Sequence, residues 1–314
     1  MKYLFLLLIG MGFYSCKETV KDVAPEIENP AENDLISEIN ESEFNQNLII
    51  NSTDDLLGYW VGWFEPLEDD YKKNKYTGEH VAYNMSNKIT ISIDKITGDL
   101  VEGHSVVAGN NRPFSGSINF VDGSYIFEVK ELGDDKYDGE FNFEIGKNDS
   151  VVSGKWKAYK KVETHERKYD LTKKIFNYNP NNKLTNVYVD WEKKKSKMVQ
   201  EEYDGHVENY LQEEYFATTE KVFNLNPSSA LLTKKEVENL SKADIYVLRN
   251  SIYAKHGYSF KNRQLRAFFD KHEWYIPVHT NIKEDLTEIE KNNIKLLLVY
   301  EKNAEEYYDE FGRG

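Results

Sequence analysis

Cysteine is almost missing from this chain. Cys16 is the only one in 314 residues, so no internal disulfide can form and no cysteine cluster can hold zinc. Long apolar runs are missing too: the one unbroken stretch, Tyr3 to Ile9, falls far short of the roughly 20 residues that span a bilayer as a helix. Basic charge is in deficit, with 40 Lys and Arg against 54 Asp and Glu for a formal net charge of −14. Such a surface repels nucleic acid and anionic head groups as a whole, so no nucleic-acid partner is expected. Histidine is scarce, and His256, His272 and His279 fit no zinc spacing. No metal site, no cofactor and no catalytic residue is assigned.

What is present begins with an address. Lys2 followed by the apolar run reads as a signal-peptide core over residues 1–15. It ends at Phe13-Tyr14-Ser15-Cys16. A small residue directly before a lone cysteine resembles a bacterial lipobox, the alternative being an ordinary secretion signal with an incidental cysteine. The resemblance implies cleavage before Cys16, acylation of that residue and attachment to the membrane through its lipid. The expected location is the bacterial cell envelope, at the outer membrane, on its periplasmic or surface face. Residues 16–52 read as an acidic disordered tether: nine acids stand against Lys17 and Lys21, with too little apolar surface to offset the entropy of ordering.

Residues 53–228 have the texture of an antiparallel β domain. Apolar residues alternate at Ile89, Ile91 and Ile93; at Tyr125, Phe127 and Val129; and at Phe141, Phe143 and Ile145. Asp122-Gly123 and Gly133-Asp134 supply turn signals between such segments. Short alternating strands joined by tight turns predict a closed barrel or a curled sheet. The opening Gly58-Tyr59-Trp60 resembles the first strand of lipocalin-like barrels. Lys174 to Tyr178, Asn186 to Trp191 and Glu214 to Phe223 are expected as further barrel strands or an extension of the sheet. The run Lys193-Lys194-Lys195 with Lys197 reads as a solvated loop. Asp134 to Glu140 reads as an acidic hairpin, since no glutamate closes a calcium loop at Ile145.

Residues 229–314 read as a small helical bundle, which makes the chain α+β with two domains. Thr233 with Glu236, Ser241 with Asp244 and Thr287 with Glu290 have capping-box spacing, and Gly257 stands where a left-handed helix stop is needed. Within this segment, Tyr253-Ala254-Lys255-His256-Gly257, Glu273-Trp274-Tyr275-Ile276-Pro277 and Leu286, Glu290 and Asn293 together resemble the YARHG domain, a bacterial extracytoplasmic module. Lys255 stands where the family has Arg, which keeps the charge but loses the planar fork. The resemblance implies an extracytoplasmic setting and association with the cell wall, and no reaction.

Two sets of side chains are candidates for binding. In the helical segment, Arg249, Tyr253 and His256 share a helical face, and with Asn250, Trp274 and Tyr275 they could form an aromatic cleft for a carboxylate or a sugar hydroxyl. The competing reading makes most of these residues fold-maintaining, with Arg249 spent on Glu290. In the β domain, His104, Ser105, Asn111 and Arg112 could line a barrel mouth, and Trp60 and Trp63 a cavity. The expected function is a non-catalytic binding or scaffolding protein that contacts peptidoglycan or another envelope protein. The alternatives are a carrier of small hydrophobic ligands and an enzyme with its site around His104, Ser105 and Arg112.

Overall fold

A computed structural model describes residues 50–67, 71–73, 80–82 and 86–309. Residues 1–15, read as a signal peptide, Cys16, and all but the end of residues 16–52, read as a tether, lie outside the described residues. Ten strands come first: β1 (Gly58–Pro66), β2 (Tyr71–Lys73), β3 (His80–Ala82), β4 (Asn87–Thr97), β5 (Leu100–Val107), β6 (Asn110–Val121), β7 (Ser124–Glu131), β8 (Gly139–Gly146), β9 (Val151–Ala158) and β10 (Glu166–Lys174). Among the described residues β2 and β3 pair only with each other, and the remaining eight close an antiparallel barrel in the order β1-β10-β9-β8-β7-β6-β5-β4.

The alternation in the sequence sets the inside and outside of this barrel. Phe127, Val129, Phe141, Phe143 and Ile145 are buried, while Glu128, Asn142 and Glu144 between them face solvent. Burying one such ring contributes about 1.5–3 kcal/mol. The turns keep the register: Ala108-Gly109 and Asp122-Gly123 hold both residues at positive φ, the conformation that matches the twist of a tight hairpin. An eight-stranded barrel is just wide enough to be filled by its own side chains, and here aromatic rings pack its interior. Phe127 and Phe143 stack at 4.4 Å and Phe64 meets Trp156 edge-on at 5.6 Å. At one end a 3-10 turn, Thr53–Leu56, places Leu56 in the core, and its carbonyl accepts the Trp60 indole N–H at 2.9 Å. Trp60 and Trp63, expected together at an apolar cavity, lie apart: Trp60 is core, and Trp63, one residue out of phase, lies 43% exposed on the outer face.

Lys174 to Tyr178, Asn186 to Trp191 and Glu214 to Phe223 do not extend the barrel as expected. β10 pairs with both β9 and β1, so at Lys174 the barrel has no edge left to extend. The chain instead forms a ribbon of β11 (Val189–Tyr203) and β12 (His206–Ala217), to which β13 (Tyr308–Asp309) adds at one side. The run from Lys193 to Lys197 lies in β11, not in a loop. Leu184, Tyr188, Phe216 and Val222 from this stretch enter the second hydrophobic core, beside Ile245, Leu248, Ile252, Phe268, Phe269, Tyr275 and Leu297.

Four helices complete that core: α1 (Lys234–Val237), α2 (Lys242–Lys255), α3 (Arg263–Phe269) and α4 (Glu288–Asn303). Capping boxes at Thr233, Ser241 and Thr287 start α1, α2 and α4, and the Asn262 side chain caps α3. Gly257, at φ 67°, turns the chain out of α2.

The two modules are joined by named bonds. The Lys88 ammonium of β4 donates to the carbonyls of His272 and Tyr275, both at 3.0 Å, and its backbone N–H donates to Asp270 Oδ2 at 3.0 Å. Arg266 Nε donates to Asn87 Oδ1 at 3.1 Å, and the Gly109 N–H donates to Ser259 Oγ at 2.9 Å. Val61 of the barrel wall packs with Ile276 and Val278. Among the described residues no helix is long and apolar enough to cross a membrane.

Candidate functional site

Polar side chains gather at three places: the polar face of α2, the open end of the barrel, and a cleft beside β11. On α2, the polar groups are bound inside the module. Arg249 forms a two-pronged ion pair with Glu301 of α4, at 2.7 and 3.0 Å, and not with Glu290. The Asn250 amide donates to the Tyr246 carbonyl at 2.8 Å. Tyr253 meets Tyr258 edge-on. Trp274 Nε1 donates to the Lys183 carbonyl, and the buried Tyr275 hydroxyl donates to the Tyr258 carbonyl.

His256 is the most embedded of this set. Its Nε2 lies 2.7 Å from Glu290 Oε2, and the Tyr178 ring stacks on the imidazole at 4.2 Å. Glu290 is fully buried and also takes the Tyr178 hydroxyl and both the N–H and the hydroxyl of Thr287. One carboxylate thus holds the motif histidine, a tyrosine from the linker and the cap of α4. Lys255 donates to Asn226 Oδ1 at 2.6 Å and to the Pro180 carbonyl at 3.3 Å, and burial pushes its pKa down to about 8. A point-like ammonium serves these two oxygens, and no planar fork is needed.

The open end of the barrel is different. Ser105 and Arg112 reach it, whereas His104 and Asn111 sit out of phase and face outward. His104 pairs with Asp94 at 2.7 Å across the outer surface. His104 and Ser105 therefore lie on opposite faces of β5, so of His104, Ser105 and Arg112 the mouth brings together only Ser105 and Arg112. Arg112 is held by Asp138 at 3.0 Å and Asp135 at 3.2 Å, in the acidic β7–β8 turn.

The mouth encloses a cavity of about 340 Å³. Its floor is aromatic, formed by Phe64, Phe141 and Trp156, and its rim carries Arg167 and, from α3, Arg266. Glu131 lies inside it and is 6% exposed. Its Oε1 accepts the Ser105 hydroxyl at 2.9 Å, and its Oε2 accepts the Gly139 N–H at 2.8 Å and the Trp156 indole at 3.4 Å. Burial raises the Glu131 pKa to about 7, against the lowering pull of those donors and of Arg112. Glu131, Arg167 and Arg266 were missed in the sequence. The signal for Glu131 was present: the inward phase of Phe127 and Val129, carried two residues further, lands on it.

A third opening lies between β11 and α3, a cleft of about 250 Å³ lined by Val189, Trp191, Arg263, Gln264, Phe268 and Lys271. Trp191 is 55% exposed and meets Tyr215 edge-on at 5.0 Å. Among the described residues no group of three or more His, Cys, Asp or Glu could hold a metal ion.

No curated protein and no solved structure matches the chain. The family model of the YARHG domain matches residues 220–302, from the 3-10 turn Glu220–Asn224 to the end of α4, so the helical part of this chain carries a YARHG domain.

Proposed function

We propose that the protein is a non-catalytic binding protein of the bacterial cell envelope, attached through an acylated Cys16, whose helical module contacts peptidoglycan. The observation that carries the reading is the cleft at Trp191. An exposed indole offers a flat apolar face to the C–H side of a sugar ring. Arg263, Gln264 and Lys271 beside it supply donors for hydroxyls and for the carboxylates of a stem peptide. The YARHG motif itself supports the module: Arg249, Asn250, His256 and Tyr275 hold it rigid, and the cleft stands on that frame.

The test uses the whole chain from Lys17 onward, because Leu184, Tyr188 and Phe216 belong to the helical core and a fragment starting at 229 would lose them. Purified peptidoglycan sacculi are sedimented with the wild type, Trp191→Ala and Lys271→Glu, with folding verified by circular dichroism. Saturable binding that falls by about tenfold in either folded variant, a loss of about 1.4 kcal/mol, supports the reading. A wild type that stays in the supernatant refutes it, and two variants that bind like wild type move the contact away from this cleft. Metabolic labelling with palmitate, lost in Cys16→Ser, checks the anchor.

A further inference from the structure

We propose that the barrel mouth is a separate binding site for a small zwitterion of the α-amino-acid type, formed by the barrel and the helical module together. It goes beyond the wall contact and does not depend on it.

Both ends of such a ligand have a counterpart in the cavity. At one end is Glu131. An ionised carboxylate offers about four lone-pair directions, and three donors reach this one: Ser105 Oγ, the Gly139 N–H and the Trp156 indole. One direction remains for a further donor, and an ammonium there would stabilise the charge that burial disfavours. At the other end is Arg266. Its Nε is held by Asn87 Oδ1, and its Nη1 by the carbonyls of Lys261 at 2.6 Å and Phe260 at 3.3 Å. These three acceptors are neutral, and Asp270, whose charge also acts on Arg266, takes the Lys88 N–H, so the guanidinium is fixed without a direct ion pair. Arg112 is excluded from this role because Asp138 and Asp135 already neutralise it.

Size and charge narrow the ligand class. A cavity of about 340 Å³ is at the small end of the roughly 300–1,000 Å³ range of ligand pockets. Of the charged groups lining the cavity, Arg112, Glu163 and Arg167 already have partners, so an ion of one sign would satisfy Glu131 or Arg266 and leave the other facing a like charge in a partly dry site. A zwitterion satisfies both. Phe64, Phe141 and Trp156 on the floor then receive the apolar side chain.

Calorimetric titration of the whole chain from Lys17 onward tests this directly. The probes are alanine, leucine and phenylalanine in both enantiomers. For the tightest binder, two analogues follow, its methyl ester, which lacks the carboxylate, and its deamino acid, which lacks the ammonium. One or more of the amino acids is expected to bind, with each analogue weaker by about tenfold or more, the scale of a lost charged hydrogen bond. Glu131→Gln should remove the discrimination against the deamino acid, and Arg266→Met the discrimination against the ester. Absence of binding by all six amino acids at millimolar concentration overturns the proposal. So does equal binding of the zwitterion and both analogues to the unaltered protein, a result that does not depend on whether a variant folds.

Discussion

Replacing Glu290 by alanine should be the most damaging single truncation in the helical module. Four donors converge on this fully buried carboxylate: His256 Nε2, the Tyr178 hydroxyl, and the N–H and hydroxyl of Thr287. Removing it strands the buried His256 and unpairs the half-buried Tyr178, and breaking a buried pair by deleting one partner costs about 3–5 kcal/mol. With a urea slope of about 3 kcal/mol/M, a loss of 4 kcal/mol lowers the unfolding midpoint by about 1.3 M. The pH dependence carries a second signature. Burial works to raise the Glu290 pKa, but the bonds from His256 and Thr287 outweigh it and hold the carboxyl below its ordinary value of 4.5. A depressed carboxyl contributes stability that is present above pH 4.5 and lost as pH falls through the lower folded-state value. The gap between wild type and Glu290→Ala should therefore narrow below pH 4.5. Urea titrations at pH 7 and at progressively lower pH measure both. A midpoint within about 0.3 M of wild type at pH 7, equivalent to about 1 kcal/mol at that slope, would refute the view that this carboxylate organises the module.

Three further outcomes are expected. Glu131 has the opposite linkage: its folded-state pKa is raised from 4.5 to about 7, so ionisation costs stability, and the wild type should lose up to about 3 kcal/mol as pH rises through that window. Glu131→Gln should flatten the slope in thermal melts recorded across it. Lys88→Met removes the ammonium bonds to the His272 and Tyr275 carbonyls. It should cost about 2 kcal/mol and split one urea transition into two when barrel and helical signals are followed separately. Gly257→Ala forces a β-carbon into positive φ and within 2.6 Å of Val278 Cγ2 and 2.8 Å of Phe176 Cε2. A loss of about 2–4 kcal/mol is expected, read as a lowered melting temperature.

How much of this was legible in the sequence depends on whether a segment has one dry face. Ile89 to Ile93, Phe127 with Val129 and Phe141 to Ile145 announce strands because the barrel interior sorts their side chains. The capping boxes at Thr233, Ser241 and Thr287 announce helix starts because the backbone N–H groups there need local acceptors. β11 and β12 gave no such sign. Both of their faces are largely wet, so Lys194 and Lys197 answer Glu213 and Glu214 across the ribbon rather than a core, and the alternation disappears. The mouth was half legible. Ser105 and Arg112 stood out from the small and polar texture around them, but His104 and Asn111 came with them although the strand phase sends them outward. Arg266 reaches Asn87 from 179 positions away, a neighbourhood created by docking and by no local pattern.

The lysines of β11 have one more consequence. β11 is the outer strand of its sheet, 15 residues long, and a bare edge of that length invites a second strand from another molecule. Lys193, Lys194 and Lys197 pair with Glu306, Glu213 and Glu214, and Lys195 lies over the Tyr308 ring, so an incoming copy of the same edge would have to strip water from these exposed pairs, which makes the addition unfavourable. The charge run that hid this strand from pattern reading thus acts as a gatekeeper against polymerisation. Trimming it to threonine or valine would turn a solitary ribbon into a template for aggregation.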